Sequence, residues 1–179
     1  NPSSIYSIGR SAKALLENSR DKIAALLNCK PSEIYFTSGG SESDNSAIFG
    51  ISAACGKNGI VTSTIEHPAV LSSVKSAAAN KKECKFIPVS TNGVIDINAA
   101  KKLAAADIGL VSAMLVNNET GVVQPIDELA EIAHSAGAYI HTDAVQSPSC
   151  TKIDLQKLNV DSLSLSAHKF GGPKGVGIL

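Results

Sequence analysis

One segment near the end of the chain combines side chains that can do chemistry. Ser166, His168 and Lys169 follow the alternating run 162–166, which predicts a strand, and glycines and a proline then force an irregular turn. A lysine amine becomes a nucleophile toward aldehydes when desolvation or a nearby positive charge lowers its pKa. Taken alone, a surface lysine before a glycine-rich loop is the more common interpretation, since most lysines are solvated.

A second polar segment, residues 38–45, is rich in serine and glycine and includes Gly40 and Ser41. It follows the predicted strand 33–37 and opens a helix that runs to Ala54. A strand, a glycine-rich turn and a helix start together point free backbone N–H groups at an anion. The plain alternative is a helix cap made by Ser41 or Ser43.

Further polar residues stand where other predicted strands end. His67 follows strand 59–65, Asn118 follows the apolar strand 109–116, and Asp143 and Gln146 follow strand 138–142. Singly, His67 could be a packed or exposed histidine and Asp143 a paired structural charge. Because the carboxyl ends of parallel strands share one edge of a sheet, where such sheets bind ligands, we expect all these residues to converge.

The elements that position these residues alternate along the chain. Helices are predicted at 11–28, from the turn to 54, and at 69–79, 98–106, 126–137 and 155–159, with further strands at 85–90 and 175–179. We therefore predict an α/β fold with a mainly parallel seven-stranded sheet and helices on both faces. Pro88 places strand 85–90 near an edge, and the apolar run 109–116 is typical of a strand buried on both faces.

Composition narrows the function class. The chain has 179 residues, no net formal charge and only 4% aromatic residues, which gives no nucleic-acid footprint. No apolar run reaches transmembrane length, so we expect no membrane span. The four cysteines lack close pairing, which argues against a disulfide framework or zinc site and favours a reducing, cytoplasmic compartment.

Pyridoxal phosphate is the one ligand that accounts for every polar group at this edge. It needs a lysine for a Schiff base, a carboxylate for its ring nitrogen, an anion cradle for its phosphate and a flat group over its ring. Lys169, Asp143, the 38–43 turn and His67 supply these in turn.

The sequence also resembles the large domain of the cysteine desulfurases, within the class V aminotransferases of fold type I. The matching segments are Asn1-Pro-Ser-Ser4, Phe36-Thr-Ser-Gly-Gly-Ser-Glu-Ser-Asp-Asn45, Glu66-His-Pro-Ala-Val70, Val116-Asn-Asn-Glu-Thr-Gly121, His141-Thr-Asp-Ala-Val-Gln146 and Ser166-Ala-His-Lys-Phe-Gly-Gly-Pro-Lys-Gly175. They span the whole chain in order. Two positions depart from the family pattern: Ser41 replaces a usual threonine, and Tyr6 a usual histidine.

The resemblance implies a role for each site residue. Lys169 would bind the cofactor as a Schiff base and move the α-carbon proton, and His67 would stack on the ring and take part in proton transfer. Asp143 would pair with the ring nitrogen. The remaining contacts fall into two groups: phosphate binding by Gly40, Ser41, Ser166 and His168, and binding of the phenolic oxygen region or substrate by Asn118 and Gln146.

The resemblance also implies an activity. Family members are homodimers that convert L-cysteine to L-alanine and pass the sulfur, as a protein persulfide, to acceptors such as an iron–sulfur scaffold or the tRNA thiolation pathway. Another class V lyase or aminotransferase, acting on selenocysteine or kynurenine, and a catalytically incomplete cofactor-binding module remain as alternatives. The nucleophilic cysteine and the substrate-binding arginine of the family lie downstream of the lysine. We therefore expect residues 1–179 to be a truncated cofactor-binding large domain, inactive alone and lacking the C-terminal small domain.

Overall fold

The computed structural model describes all 179 residues and contains seven strands and six helices. The strands are β1 Phe36–Thr37, β2 Gly59–Ser63, β3 Glu83–Ile87, β4 Ile108–Ser112, β5 Tyr139–Asp143, β6 Ser162–Ser166 and β7 Gly177–Ile178. The helices are α1 Ser7–Leu27, α2 Gly40–Ala54, α3 Pro68–Ala79, α4 Ile97–Leu103, α5 Ile126–Ser135 and α6 Leu155–Leu158. The alternation confirms the predicted α/β class.

All seven strands form one sheet in the order β1-β7-β6-β5-β4-β2-β3. Strands β2 to β6 pair in parallel, whereas β7 runs antiparallel to both β6 and β1. The mainly parallel seven-stranded sheet is confirmed, as are the edge position of β3 and the interior position of β4. The carboxyl ends of five parallel strands therefore meet at one edge, where we expected the polar residues to converge.

Helices cover both faces of the sheet, and the two faces differ in chemistry. The face under α1, α4 and α5 holds the main apolar core of 23 buried residues, among them Val61 and Val111. The face under α2 and α3 carries a smaller cluster of six buried apolar residues, including Ile60 and Leu110. Because successive side chains of a strand point to opposite faces, neighbouring residues of β2 and β4 contribute to different cores.

Most predicted elements lie within a few residues of their positions, with differences in the boundaries of elements such as β1, β4 and α1. The strand predicted at 33–37 begins at Phe36, because Pro31–Glu33 forms a 3₁₀ turn. The strand predicted at 109–116 ends at Ser112, and the buried apolar residues 113–116 continue as non-strand chain. Helix α1 begins at Ser7 instead of 11, although its first turns are largely exposed. No helix has both the length and the apolar character needed to cross a membrane.

Candidate active site

A cleft of about 260 Å³ lies at the carboxyl edge of the parallel strands. The residues that line it include all nine that the sequence predicted: Gly40, Ser41, His67, Asn118, Asp143, Gln146, Ser166, His168 and Lys169. The convergence of these side chains is therefore confirmed. Asp44, Met114 and Val145 complete the lining.

The start of α2 forms an anion cradle. Gly39 is the N-cap residue and no side chain caps this helix end, so its first N–H groups remain available. The alternative of a cap by Ser41 or Ser43 is wrong, since the Ser43 hydroxyl donates to the Ile178 carbonyl at 2.9 Å. Gly40 is required here because a Cβ atom would stand 2.6 Å from Cγ2 of Val145.

The opposite wall of the cradle comes from the turn after β6. Ser166 is buried at the end of the strand, and its hydroxyl lies 2.9 Å from Nδ1 of His168. Residues 167–170 form a 3₁₀ turn that ends at Gly171, whose φ of +89° favours glycine. This turn brings Lys169 into the cleft, where its side chain is exposed.

Asp143 is the buried carboxylate of the cleft. It is 5% exposed and accepts a hydrogen bond from the Val145 backbone N–H at 2.9 Å. Burial raises the pKa of Asp143, and this N–H group, then the charges of His67 and Lys169, act in the opposite direction. Burial is the larger effect, so the net pKa of Asp143 is raised. A positive group beside this carboxyl, such as a protonated ring nitrogen, would favour its anion.

His67 is fixed by the helix that follows it. It is the N-cap residue of α3, with Pro68 in the first turn, and its Nδ1 accepts a hydrogen bond from the Ala69 N–H at 3.1 Å. Because Nδ1 is an acceptor, a neutral ring carries its proton on Nε2. The half-buried imidazole is thus held at the strand-to-helix junction on one wall of the cleft.

The loop after β4 is organised by Asn117 so that Asn118 reaches the cleft. The buried Asn117 side chain accepts hydrogen bonds from the N–H groups of Glu119 and Thr120 at 3.0 and 2.9 Å. Its amide donates to the Ile65 carbonyl at 3.0 Å. Asn118 itself is exposed at the mouth of the cleft. The two adjacent asparagines therefore differ: Asn117 holds the loop together, and Asn118 lies at the mouth of the cleft.

A polar network that the sequence reasoning missed lies beneath the cleft. His141 is fully buried, with Nδ1 2.9 Å from the Ser112 hydroxyl and Nε2 2.9 Å from the Ser164 hydroxyl. Burial lowers the pKa of His141 to about 3, so its ring is neutral. The two-residue period of β5 was the available signal, because it puts His141 on the same face as Asp143.

Two further buried carboxyls were also missed. Asp44 and Glu66 are 2% and 5% exposed, and burial is the main cause that raises the pKa of each to about 8. Asp44 lies one helical turn after Gly40, so the helical period could have placed it on the buried face of α2. Glu66 gave no such signal, since its burial depends on the chain that follows β4, where the Met114 N–H donates a hydrogen bond to its Oε1 at 3.1 Å.

No cysteine or arginine lines the cleft. Cys29, Cys55 and Cys84 are partly buried, and burial raises the pKa of the Cys29 and Cys84 thiols. Cys150 is exposed, and its Sγ lies 3.1 Å from the Gln146 carbonyl. No group of three or more His, Cys, Asp or Glu side chains is arranged to hold a metal ion.

The residues of the cleft fit pyridoxal phosphate. The uncapped helix start and the Ser166–His168 pair offer donors to a phosphate, and Gly40 lets the helix start pack closely against Val145. Asp143 supplies a buried carboxylate for a ring nitrogen, and Lys169 supplies a primary amine in the same cleft. This is the large-domain architecture of a pyridoxal-phosphate enzyme: a mainly parallel α/β sheet with its amine, carboxylate and anion cradle at one edge.

The chain belongs to the Aminotransferase class-V family, which it matches over residues 1–179. It is 46% identical to the cysteine desulfurase IscS of Methanosarcina thermophila and 45% identical to that of Dictyoglomus turgidum, over 181 aligned residues and 100% of this chain. Enzymes of this family depend on pyridoxal phosphate.

Solved structures agree with the family assignment. A NifS-like protein superposes with a TM-score of 0.96 at 40% identity over 99% of this chain. SspA in complex with cysteine superposes with a TM-score of 0.95 at 36% identity. The chain spans about half the length of these relatives: 45% and 46% of the two IscS proteins, 50% of the NifS-like chain and 52% of SspA.

Proposed function

We propose that the protein is a pyridoxal-phosphate-dependent cysteine desulfurase, for which this chain supplies the cofactor-binding half of the site. The observation that carries the proposal is the set of lining residues, in which an amine, a buried carboxylate and an anion cradle face one cleft. Two comparisons support cysteine as the substrate: the names of the IscS relatives, and the neighbour that was solved with cysteine bound.

In this proposal each residue of the chain has a distinct task. The start of α2, with Ser166 and His168, binds the phosphate, and the Lys169 amine holds the cofactor and moves a proton at the substrate α-carbon. Asp143 keeps the ring nitrogen protonated, because the buried carboxylate favours a positive charge beside it. When bound, the cofactor supplies an electron-withdrawing ring that stabilises negative charge at that carbon.

His67 and the amide side chains orient the reactants in this proposal. His67 is held by the Ala69 N–H with its ring on the cleft wall, which suits stacking on a flat ligand and proton transfer. Asn118 and Gln146 bring amide groups to the mouth of the cleft, near the phenolic oxygen region or substrate. The thiolate that accepts sulfur and the arginine that binds the substrate carboxylate come from outside residues 1–179.

We further propose a cytoplasmic homodimer that passes sulfur to an acceptor protein such as an iron–sulfur scaffold or a tRNA-thiolation partner. The four free cysteines suit a reducing compartment. Exposed apolar side chains on and before α1, among them Ile5, Ile8 and Leu15, suit contact with further protein.

The test compares the full-length protein with Lys169→Ala and with Lys174→Ala, an exposed lysine outside the cleft, as the matched control. Each is incubated with cofactor, L-cysteine and a thiol reductant, and alanine and sulfide are measured. Wild type and Lys174→Ala should form both in equal amounts, and Lys169→Ala neither. Turnover of selenocysteine or kynurenine without turnover of cysteine would assign the protein to one of the alternative lyases.

A further inference from the structure

Asp44 lies in the cleft, and one of its two carboxyl oxygens has no hydrogen-bond partner. It occupies the second turn of α2, is 2% exposed and lines the cleft beside Asp143. Its Oδ1 is buried without a hydrogen-bond partner. Burying an ionised carboxyl without a hydrogen-bond partner costs free energy, unless a cation pairs with it or it binds a proton.

No cation compensates Asp44. The nearest group that could carry a positive charge is the imidazole of His141, whose Nε2 lies 3.7 Å from Oδ1 of Asp44. That ring is neutral, since burial lowers the pKa of His141 to about 3, and both of its nitrogens already face serine hydroxyls at 2.9 Å. The His141 ring therefore offers Asp44 no positive charge.

The other titratable groups around Asp44 do not supply a dedicated cation either. They are His141 and Asp143 on β5, Glu66 and His67 at the start of α3, and His168 and Lys169 after β6. The charges of His67 and Lys169 act on Asp143. Burial, and then the negative charge of Asp143, raise the pKa of Asp44 to about 8, while the nearby Ser164 hydroxyl acts in the opposite direction.

We propose that Asp44 is a positioning residue of the cofactor site, whose carboxyl keeps a proton behind Asp143 so that Asp143 carries the negative charge offered to the ring. A second anion at this depth would compete with Asp143 for the proton and for the neighbouring cations. The proposal rests on the proposed cofactor site.

Cofactor binding and the ionisation of Asp44 should be coupled in a direction that can be measured. A positive ring nitrogen beside Asp143 favours the ionised form of Asp44. Loading the cofactor should therefore shift the ionisation of Asp44 to lower pH, by about one unit for an opposite charge at close range.

The experiment follows the infrared band of protonated carboxylic acids across a pH titration of the full-length protein, in apo and cofactor-loaded forms. In wild-type apo protein the bands of the buried acids Asp44 and Glu66 should be lost near pH 8. The band of the third buried acid, Asp143, is identified by its absence from Asp143→Asn. Asp44→Asn should lack one of these steps, and Glu66→Gln should lack the other and keep that of Asp44. Loading the cofactor should move the step that survives in Glu66→Gln to lower pH.

Two results would overturn the inference: no buried-acid step near pH 8 in Glu66→Gln, or a step that cofactor loading leaves in place. The Glu66→Gln protein keeps the test decisive if Asp44→Asn does not fold. Failure of the proposed function can be told apart from failure of this inference. A protein that binds no pyridoxal phosphate can still be titrated in its apo form, and the step of Asp44 is then either present or absent.

Discussion

Replacing Glu66 by glutamine should make the folded protein progressively more stable than wild type as the pH rises. Burial raises the pKa of Glu66 from its ordinary 4.5 to about 8, so the folded state holds a proton that the unfolded state releases. Because the neutral form is favoured by folding, this contribution to stability is fully present below pH 4.5. It is lost as the pH rises toward 8. Glutamine does not titrate, so the Glu66→Gln protein does not lose this stability as the pH rises.

The size of the effect follows from the width of that pH window. Each pKa unit corresponds to about 1.4 kcal/mol, so the wild type gives up at most about 5 kcal/mol between pH 4.5 and 8 through this one group. Glutamine keeps an oxygen that can accept from the Met114 N–H and the Ser63 hydroxyl, as Glu66 Oε1 does. Any cost from its extra amide hydrogens does not vary with pH.

The assay is urea denaturation of the apo full-length protein at several pH values between 5 and 8, for wild type, Glu66→Gln and the exposed control Glu131→Gln. The free energy of unfolding of Glu66→Gln minus that of wild type should grow by about 1.4 kcal/mol per pH unit. The control should show a small difference that is constant with pH. A constant difference for Glu66→Gln as well would refute the view that Glu66 is protonated in the fold.

Three further predictions concern the cleft itself. Asp143→Asn should reduce turnover in the full-length enzyme by orders of magnitude more than it reduces cofactor occupancy, because it removes the charge that keeps the ring nitrogen protonated; equal losses would make Asp143 a binding residue only. Gly40→Ala should weaken cofactor binding, with overpacking of roughly 1–3 kcal/mol, since its Cβ would meet Cγ2 of Val145 at 2.6 Å; binding titrations with Gly50→Ala, where nothing lies within 4 Å, are the control. Residues 1–179 alone, incubated with cofactor, cysteine and a reductant, should form no sulfide or alanine; turnover that Cys150→Ala abolishes would place the nucleophile within this chain.

The predicted fold and site agree with the structure where a pattern of neighbouring residues in the sequence was enough to predict the element. The apolar run 109–116 predicted an interior strand, because a strand buried on both faces has no polar alternation. Polar residues at strand ends predicted the cleft, since the parallel arrangement alone brings His67, Asp143 and Lys169 to one edge.

The sequence did not predict the buried network around His141, because its hydrogen bonds join side chains from different strands. His141 looks like an ordinary strand histidine until Ser112 and Ser164 are known to lie on the neighbouring strands, at 2.9 Å from its two nitrogens. Strand β1 was misplaced for a related reason. The backbone of Tyr35 forms hydrogen bonds with that of Leu179, next to β7. The preceding residues Pro31–Glu33 form a 3₁₀ turn, which strand propensity alone does not distinguish from the start of a strand.

The central claim is that Lys169 holds the cofactor, and one measurement tests it directly. Full-length protein is incubated with pyridoxal phosphate, reduced with borohydride, digested and analysed by mass spectrometry to locate the pyridoxyl group. We predict a single major adduct on Lys169, absent from Lys169→Ala and retained in Lys174→Ala. A major adduct on any other lysine, or an unaltered adduct pattern in Lys169→Ala, would contradict the account.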